Sequence, residues 1–311
     1  MQFRCQFYDR RSAAREWRPL HGGLTLPIDL TQTVNQEFSM PITGLTQIVG
    51  IIADPVAHVR TPQMFNAAAQ HMSLPAVCVP FHVPPPQLGV WLTACAGLRN
   101  LSGIVVTIPH KEAVLPFCDV VTDIARMVGS VNVVRREHDT RRWIGGNFDG
   151  QGFVAGVKAQ GHTLAGKRVL QIGAGGAGKS MAYSILAEGA AELVIANRAT
   201  EKAVALAAQL KRAMPEASVR PGEADPRGFD VVVNATSVGL TDDSKPLDAN
   251  RLDAGTLVCE AVVREGGTAL LKAAAERGCL VHRGEWMLRG QIVEIGRFLG
   301  FELDASLIGD V

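Results

Sequence analysis

The most chemically specific stretch of this sequence is Gly173-Ala174-Gly175-Gly176-Ala177-Gly178, which follows the apolar run KRVLQI and opens the helix-like segment AGKSMAYSILAEG. Glycines at that spacing allow a tight turn and let backbone N–H groups approach a pyrophosphate, while the helix N-terminus offers it partial positive charge. The bare pattern is also common as a structural turn; its place between a strand and a helix is what points to a dinucleotide. The end of the following strand then separates the nicotinamide cofactors. Binders of NAD usually carry Asp or Glu there to hold the ribose 2′-hydroxyl. Here the position, 19 residues after Gly178, is Asn197, followed by Arg198 and, four residues further on, Lys202. No carboxylate stands ready to repel a 2′-phosphate, and Arg198 and Lys202 offer it charge, so NADP is favoured with NAD as the alternative.

Residues of this kind need a strand–helix frame to hold them. From residue 46 onward the chain alternates TQIVGIIA, TPQMFNAAAQHM, AVCVPF, PPPQLGVWLTACAGL and GIVVTIP, reading strand, helix, strand, helix, strand. Short helices over HKEAVLPF and VTDIARMV follow, then a hairpin pattern around SVNVVRRE and RRWIGGN. A second series begins near 149 with a helix over GQGFVAGVKAQG and continues through KRVLQIG, ELVIAN, SVR, DVVVNAT and TLVCEAVV, closing on the helices TALLKAAAERG and EWMLRGQIVEIGRFLG. Such alternation implies α/β architecture with largely parallel sheets. The expected division is an N-terminal appendage over 1–43, a first α/β domain over 44–148, a dinucleotide-binding Rossmann domain over 149–284, and C-terminal helices over 285–311. Met40 stands just before the first convincing strand and reads as a second candidate start.

Composition narrows the partners. The chain has 311 residues, 47% hydrophobic and 20% charged, enough apolar material for packed cores. Lys and Arg total 31 against 30 Asp and Glu, a formal net charge of +1, which gives no global electrostatic case for nucleic acid or an anionic membrane. No apolar run reaches the roughly 18 residues a membrane span needs, and the charged N-terminus lacks a signal peptide's apolar centre, so a cytoplasmic location is expected. The six cysteines are scattered with no C-x-x-C pair, which argues against a zinc site or disulfide framework.

Eight motifs in order then resemble the shikimate/quinate dehydrogenase family from about residue 45 to 300: GIIADPVAHVRTP (50–62), GIVVTIPHKEAV (103–114), GSVNVV (129–134), GNFDGQG (146–152), GAGGAG (173–178), NRATEK (197–202), NATSVG (234–239) and GEWMLRGQ (284–291). The resemblance implies an N-terminal substrate domain completed by the C-terminal helices, a Rossmann domain, and a cleft joining them. It implies reversible hydride transfer between NAD(P) and a ring hydroxyl of a cyclic hydroxy acid. By motif, Lys111 matches the family's catalytic lysine and Asp149 its partner carboxylate. Thr61, Thr107, Asn132 and Gln291 match residues that position the substrate, and Thr236, Ser237, Val238 and Gly239 match the nicotinamide side. No metal is implied, and the oligomeric state is left as monomer or homodimer. Alcohol oxidation requires the hydroxyl proton to leave, and an amine or carboxylate within about 3 Å can take it. Residue types leave open which of Lys111 and Asp149 is the base.

The sequence departs from the family at the substrate. Where two hydroxyls usually meet the substrate carboxylate it has Val59-Arg60-Thr61, and where the family has Asn-Val-Thr it has Val105-Val106-Thr107. Phe148 replaces a threonine before Asp149, and Val263 stands where a tyrosine is expected. Each lost hydrogen bond weakens recognition by roughly 1–3 kcal/mol if buried. Arg60 can compensate as a charged fork for a carboxylate. The expected substrate is therefore shikimate, quinate or a relative with fewer polar groups. Two rivals are a quinate-preferring NAD enzyme of catabolism and a non-catalytic metabolite sensor. His58 and His110 read as loop-structuring residues.

Overall fold

The elements follow from the alternation just described. The computed structural model describes residues 42–137, 139–140 and 142–308, which belong to one compact unit. In chain order they form β1 (Gln47–Ala53), α1 (Thr61–His71), β2 (Ala76–His82), α2 (Leu88–Cys95), β3 (Leu101–Val106), β4 (Val120–Val121), α3 (Asp123–Val128), β5 (Val133–Arg136), β6 (Trp143–Gly146) and α4 (Asp149–Ala159). The series continues with β7 (Arg168–Ile172), α5 (Gly176–Ala187), β8 (Glu192–Ala196), α6 (Thr200–Ala213), β9 (Val219–Pro221), β10 (Val231–Asn234), β11 (Leu257–Glu260), α7 (Ala269–Glu276), β12 (Leu280–His282) and α8 (Gly284–Leu299). The segment 1–43 falls, but for its last two residues, outside the described residues.

The strands make two six-stranded sheets. The first has the order β2-β1-β3-β5-β6-β4 and is mixed rather than largely parallel. Strands β2, β1 and β3 run together, while β5 lies antiparallel to both β3 and β6. The connection between β5 and β6 is too short for a crossover, so that pair must be a hairpin. This arrangement has a consequence for chemistry. Strands β3 and β6 end at the same edge where β5 begins, so residues just after β3, just before β5 and just after β6 emerge side by side. Lys111, Asn132 and Asp149 occupy those three places.

The second sheet, β12-β11-β10-β7-β8-β9, is parallel throughout. Read from β9 it has the doubly wound order of a dinucleotide-binding fold, with its switch point between β7 and β10. A crevice must open there, at the C-terminal ends of strands whose helices leave to opposite faces.

Two cores cover the faces of each sheet. Helix α8 follows the second sheet in sequence, yet Ile292, Ile295 and Leu299 pack into the core of the first, against Val105 and Val133. The C-terminal return is thus a packing fact. Helices α4 and α8 lie against each other at glycine contacts: a Cβ on Gly152 would fall 2.6 Å from the Gln291 backbone, and one on Gly290 would fall 2.4 Å from the Gly152 carbonyl.

Some local expectations need correcting. The segment 110–117 is a series of turns ending in a 3₁₀ turn over Leu115–Phe117, not a helix. Pro116 removes a backbone donor, and a run this short cannot offset helix nucleation without packing help. Strands β4 and β12, two and three residues long, lack the length to display a period. Among the described residues no helix is long and apolar enough to cross a membrane. Cys78, Cys95, Cys118, Cys259 and Cys279 are free thiols.

Candidate active site

At the shared edge of β3, β5 and β6, three side chains converge on one carboxylate. Lys111 donates from Nζ to both oxygens of Asp149, at 2.9 and 2.8 Å. Asn132 donates from Nδ2 to Oδ1 at 3.0 Å, and Gln291, reaching in from α8, donates from Nε2 to the same oxygen. The Asp149 side chain is 2% exposed and that of Lys111 is 23% exposed. A buried carboxylate is tolerated when donors of this kind surround it.

Local backbone contacts hold each member. The Val131 N–H donates to the Lys111 carbonyl, and the His110 ring, wholly buried, pairs with the Val83 carbonyl at 2.7 Å beneath the loop. Asn132 accepts the Phe148 N–H, while Asn147 accepts the Asp149 N–H and donates to Ser130. Asp149 begins α4, whose N-cap position is Phe148 with no side-chain cap, so its carboxylate is turned to Lys111 rather than spent on capping. Gly150 donates its N–H to the Ser180 hydroxyl at 2.9 Å, which fastens the start of α4 to α5. The carboxylate is thereby registered against the helix that the glycine motif opens.

The other positions expected to meet the substrate follow β1 and β3, which are parallel neighbours and end on the same side of the sheet. Thr61 is the first residue of α1 and is buried, and Thr107 follows β3, its N–H donating to the Ile52 carbonyl. Arg60 precedes α1, is exposed, and makes no ion pair among the described residues. Val105 and Val106 are buried in the cores on opposite faces of β3, and Phe148 stacks on Phe298 with ring centroids 5.2 Å apart. Neither Val105 nor Phe148 offers a polar group where the family pattern has one.

At the switch point of the second sheet lies a cleft of about 1070 Å³. Its walls include Gly173, Ala174, Gly175, Asn197, Arg198, Lys202, Thr236, Ser237 and Val238. Gly176, Ala177 and Gly178 form the first turn of α5 behind it, and Gly239 is buried beside Thr268. Three glycines suit the turn to a dinucleotide, each for its own reason. Gly173 has φ +114°, and a Cβ there would lie 2.7 Å from the Ala235 carbonyl. A Cβ on Gly178 would lie 2.5 Å from the Gly173 carbonyl, so that glycine permits close strand–helix packing. Gly175 meets nothing within 4 Å, leaving open space at the α5 N-terminus where an anion would rest.

This contrast predicts a clean separation of effects. Gly175→Val adopts its φ of −80° without strain, leaves the melting temperature nearly unchanged, and weakens NADPH binding at least about tenfold. Gly178→Ala instead destabilises the fold by about 1–3 kcal/mol. Thermal melts and fluorescence titration of both variants check the pair; equal loss of stability in the two would contradict the assignment.

Some supporting residues were not singled out from sequence. Gln171 donates its amide to the carbonyls of both Gly173 and Gly178, at 2.8 Å each, and so shapes the turn. A lone polar residue among the apolar Val169, Leu170 and Ile172 is a visible signal for it. Asn197, which the sequence does single out, accepts the Ala174 N–H and donates to the Ala199 carbonyl, tying the strand end to the turn. Glu223, with Pro221 and Gly222, closes the far wall of the cleft, and no pattern in its segment announced that. Behind the 236–239 loop, burial pushes the Glu260 carboxyl up to about 7. Among the described residues no three His, Cys, Asp or Glu side chains converge as a metal site.

Comparison with known proteins gives two family matches. Residues 51–134 match the shikimate dehydrogenase substrate binding domain, and residues 155–240 match the shikimate / quinate 5-dehydrogenase model. The NADP(+) shikimate dehydrogenase of Geobacter metallireducens is 39% identical over 264 residues, covering 81% of this chain and 90% of that protein. The Thermus thermophilus shikimate 5-dehydrogenase, solved with NADP(H) and shikimate, superposes with a TM-score of 0.77 at 30% identity, covering 85% of this chain and 97% of that one. A 5-ketofructose reductase from a Gluconobacter strain superposes equally well, with a TM-score of 0.77, 31% identity, and 85% and 96% of the two chains covered.

Proposed function

Because this chain belongs to the shikimate/quinate dehydrogenase family, we propose that it is an NAD(P)-dependent dehydrogenase that moves a hydride reversibly between nicotinamide and a ring carbinol of shikimate or a related cyclic hydroxy acid. The single observation that carries the reading is the Lys111–Asp149 pair, intact and doubly hydrogen-bonded at the edge where substrate residues gather. A non-catalytic sensor has no need of that geometry.

The chain's own groups divide the work. Asp149 is almost wholly enclosed and engaged by three side chains, so its part is to hold the Lys111 head. Lys111 is the partly exposed member, and its Nζ is the atom placed to exchange a proton with the substrate hydroxyl. Asn132 and Gln291 each spend one amide hydrogen on Asp149 and keep a second for a hydroxyl group. The Thr61 and Thr107 hydroxyls make no hydrogen bond among the described residues and are free for substrate. Arg60 supplies a charged fork for the acid group. A bound nicotinamide supplies the hydride acceptor for oxidation and the donor for reduction.

The preferred cofactor is NADP. Arg198 and Lys202 both line the cleft, and Asn197, not a carboxylate, directly follows β8. Arg198→Ala raises the NADP KM about ten- to fiftyfold and changes that for NAD less than threefold. Initial rates with each cofactor check this; equal changes would remove Arg198 from 2′-phosphate recognition.

The test of function is a panel of nicotinamide absorbance assays with shikimate, quinate and less hydroxylated cyclic acids, each with NADP and NAD. Turnover with at least one acid is expected. The apolar Val105 and Phe148, standing where the family pattern has an amide and a hydroxyl, favour a substrate with fewer ring hydroxyls than shikimate. Dinucleotide binding with no turnover of any acid in the panel would favour the sensor.

A further inference from the structure

The 236–239 loop that lines the cleft is tied to a group the chemistry above does not use. Asn234 ends β10 and Glu260 ends β11, and the two are directly paired in register with both side chains wholly buried. Asn234 donates from Nδ2 to Glu260 Oε2 at 2.8 Å and to the Val238 carbonyl at 3.1 Å. Its Oδ1 accepts from the Thr236 N–H at 3.1 Å and the Thr236 hydroxyl at 2.6 Å. The Thr236 hydroxyl in turn accepts the Val238 N–H at 3.0 Å. On the other side Thr268 donates its hydroxyl to Glu260 Oε1 at 2.8 Å, and its methyl-bearing carbon packs beneath Gly239.

An amide can be turned end for end, and only one orientation here satisfies the loop. Flipped, Asn234 would present Nδ2 to the Thr236 N–H and Oδ1 to Glu260. A carboxylate accepts and cannot donate, so it forbids the flip; a protonated carboxyl or an amide at the same place does not. We propose that Glu260 is a positioning residue for the cofactor: its acceptor-only carboxylate locks Asn234 in the orientation that fixes Thr236 and Val238 against the bound dinucleotide. The inference rests on the dehydrogenase reading above, since it gives that loop a cofactor to position.

The electrostatic setting makes the lock sensitive to protons. Burial pushes the Glu260 carboxyl up to about 7, opposed only by the donors already named and the Val262 N–H. The charged and titratable groups on the surrounding elements do not neutralise it. The adjacent Cys259 thiol is pushed far up by burial, and Arg264 is spent on the Gly239 and Asp242 carbonyls and on Asp243. His282, on the neighbouring strand, pairs with Gln160 and packs against Phe153, and Lys272 on α7 is exposed. Below about pH 7 Glu260 gains a proton and the lock loosens.

NADPH fluorescence titration without substrate tests this on the full chain across that range, for wild type, Glu260→Gln and Glu260→Asp. Wild type is expected to lose about tenfold in affinity as pH falls through about 7. Glu260→Gln should show the weaker affinity throughout, and the ratio of the two dissociation constants removes the titration of the 2′-phosphate itself. Glu260→Asp, too short to span Asn234 and Thr268, should bind weakly but keep a pH dependence. In steady state the Gln variant should raise the cofactor KM with kcat changed less than threefold, a split that general loss of folded protein does not produce. A ratio constant with pH, or wild-type affinity in Glu260→Gln, overturns the proposal while leaving the dehydrogenase reading intact. If the Gln variant does not fold, a wild-type affinity with no inflection near pH 7 overturns it alone. Failure of wild type to bind either NADPH or NADH overturns the functional reading and this inference together.

Discussion

Lys111→Ala is expected to lower kcat about a thousandfold, within the range attributed to positioned general acids and bases, and to leave NADPH binding unchanged. Lys111 lies at the edge of the first sheet and forms no part of the cleft at the β7–β10 switch point, so cofactor affinity has no reason to move. Lys111→Arg is the sharper variant. It preserves the positive charge and a fork able to engage both Asp149 oxygens, but a guanidinium does not give up its proton at any working pH. If Nζ exchanges the proton, Arg should be nearly as inactive as Ala; if the lysine serves only as a positive charge, Arg should recover much of the rate. Asp149→Asn removes the negative charge and puts an amide donor where Oδ2 accepts from Lys111, and its loss should fall on kcat, not on cofactor affinity.

Gly152→Ala is the second large effect, and it acts without touching a reacting group. The added Cβ would stand 2.6 Å from the Gln291 backbone, a distance real side chains do not keep. Helix α8 must move away from α4, carrying Gln291 off Asp149. A misplacement of about 1 Å near the reacting groups can cost about a hundredfold in rate, and the overpacking should lower stability by about 1–3 kcal/mol. Steady-state rates beside a chemical denaturation curve separate the two. A variant that kept wild-type kcat would mean Gln291 is not required where it stands.

Much of this was legible in the sequence because it rests on periodicity and on glycine. The strands GIVVTIP and KRVLQIG and the turn at 173–178 carry their own signals, and the parallel order of the second sheet follows from strand–helix alternation. The mixed character of the first sheet was less legible, since the β5–β6 hairpin reverses direction inside a region that otherwise alternates. Lys111 and Asp149 were found through motif resemblance; by residue type alone each passes for a surface lysine and a helix cap. What sequence did not reveal is three-dimensional economy. It predicted Asn132 and Gln291 near the substrate, but not that both would donate to the same oxygen of Asp149, because that depends on how closely α8 approaches α4. Nor did it single out Glu260, whose meaning comes from its cross-strand neighbour Asn234, 26 positions away.

In the proposed mechanism a hydride passes directly between a substrate carbinol and nicotinamide while Lys111 handles the proton. The most direct measurement follows the label in the hydride. The acid that turns over fastest in the panel is supplied with deuterium at its carbinol carbon, and the reduced cofactor is analysed by mass spectrometry for wild type and Lys111→Ala. Wild type should yield monodeuterated cofactor, with the variant forming the same product about a thousandfold more slowly. Unlabelled reduced cofactor, or a Lys111→Ala rate equal to wild type, would contradict this mechanism.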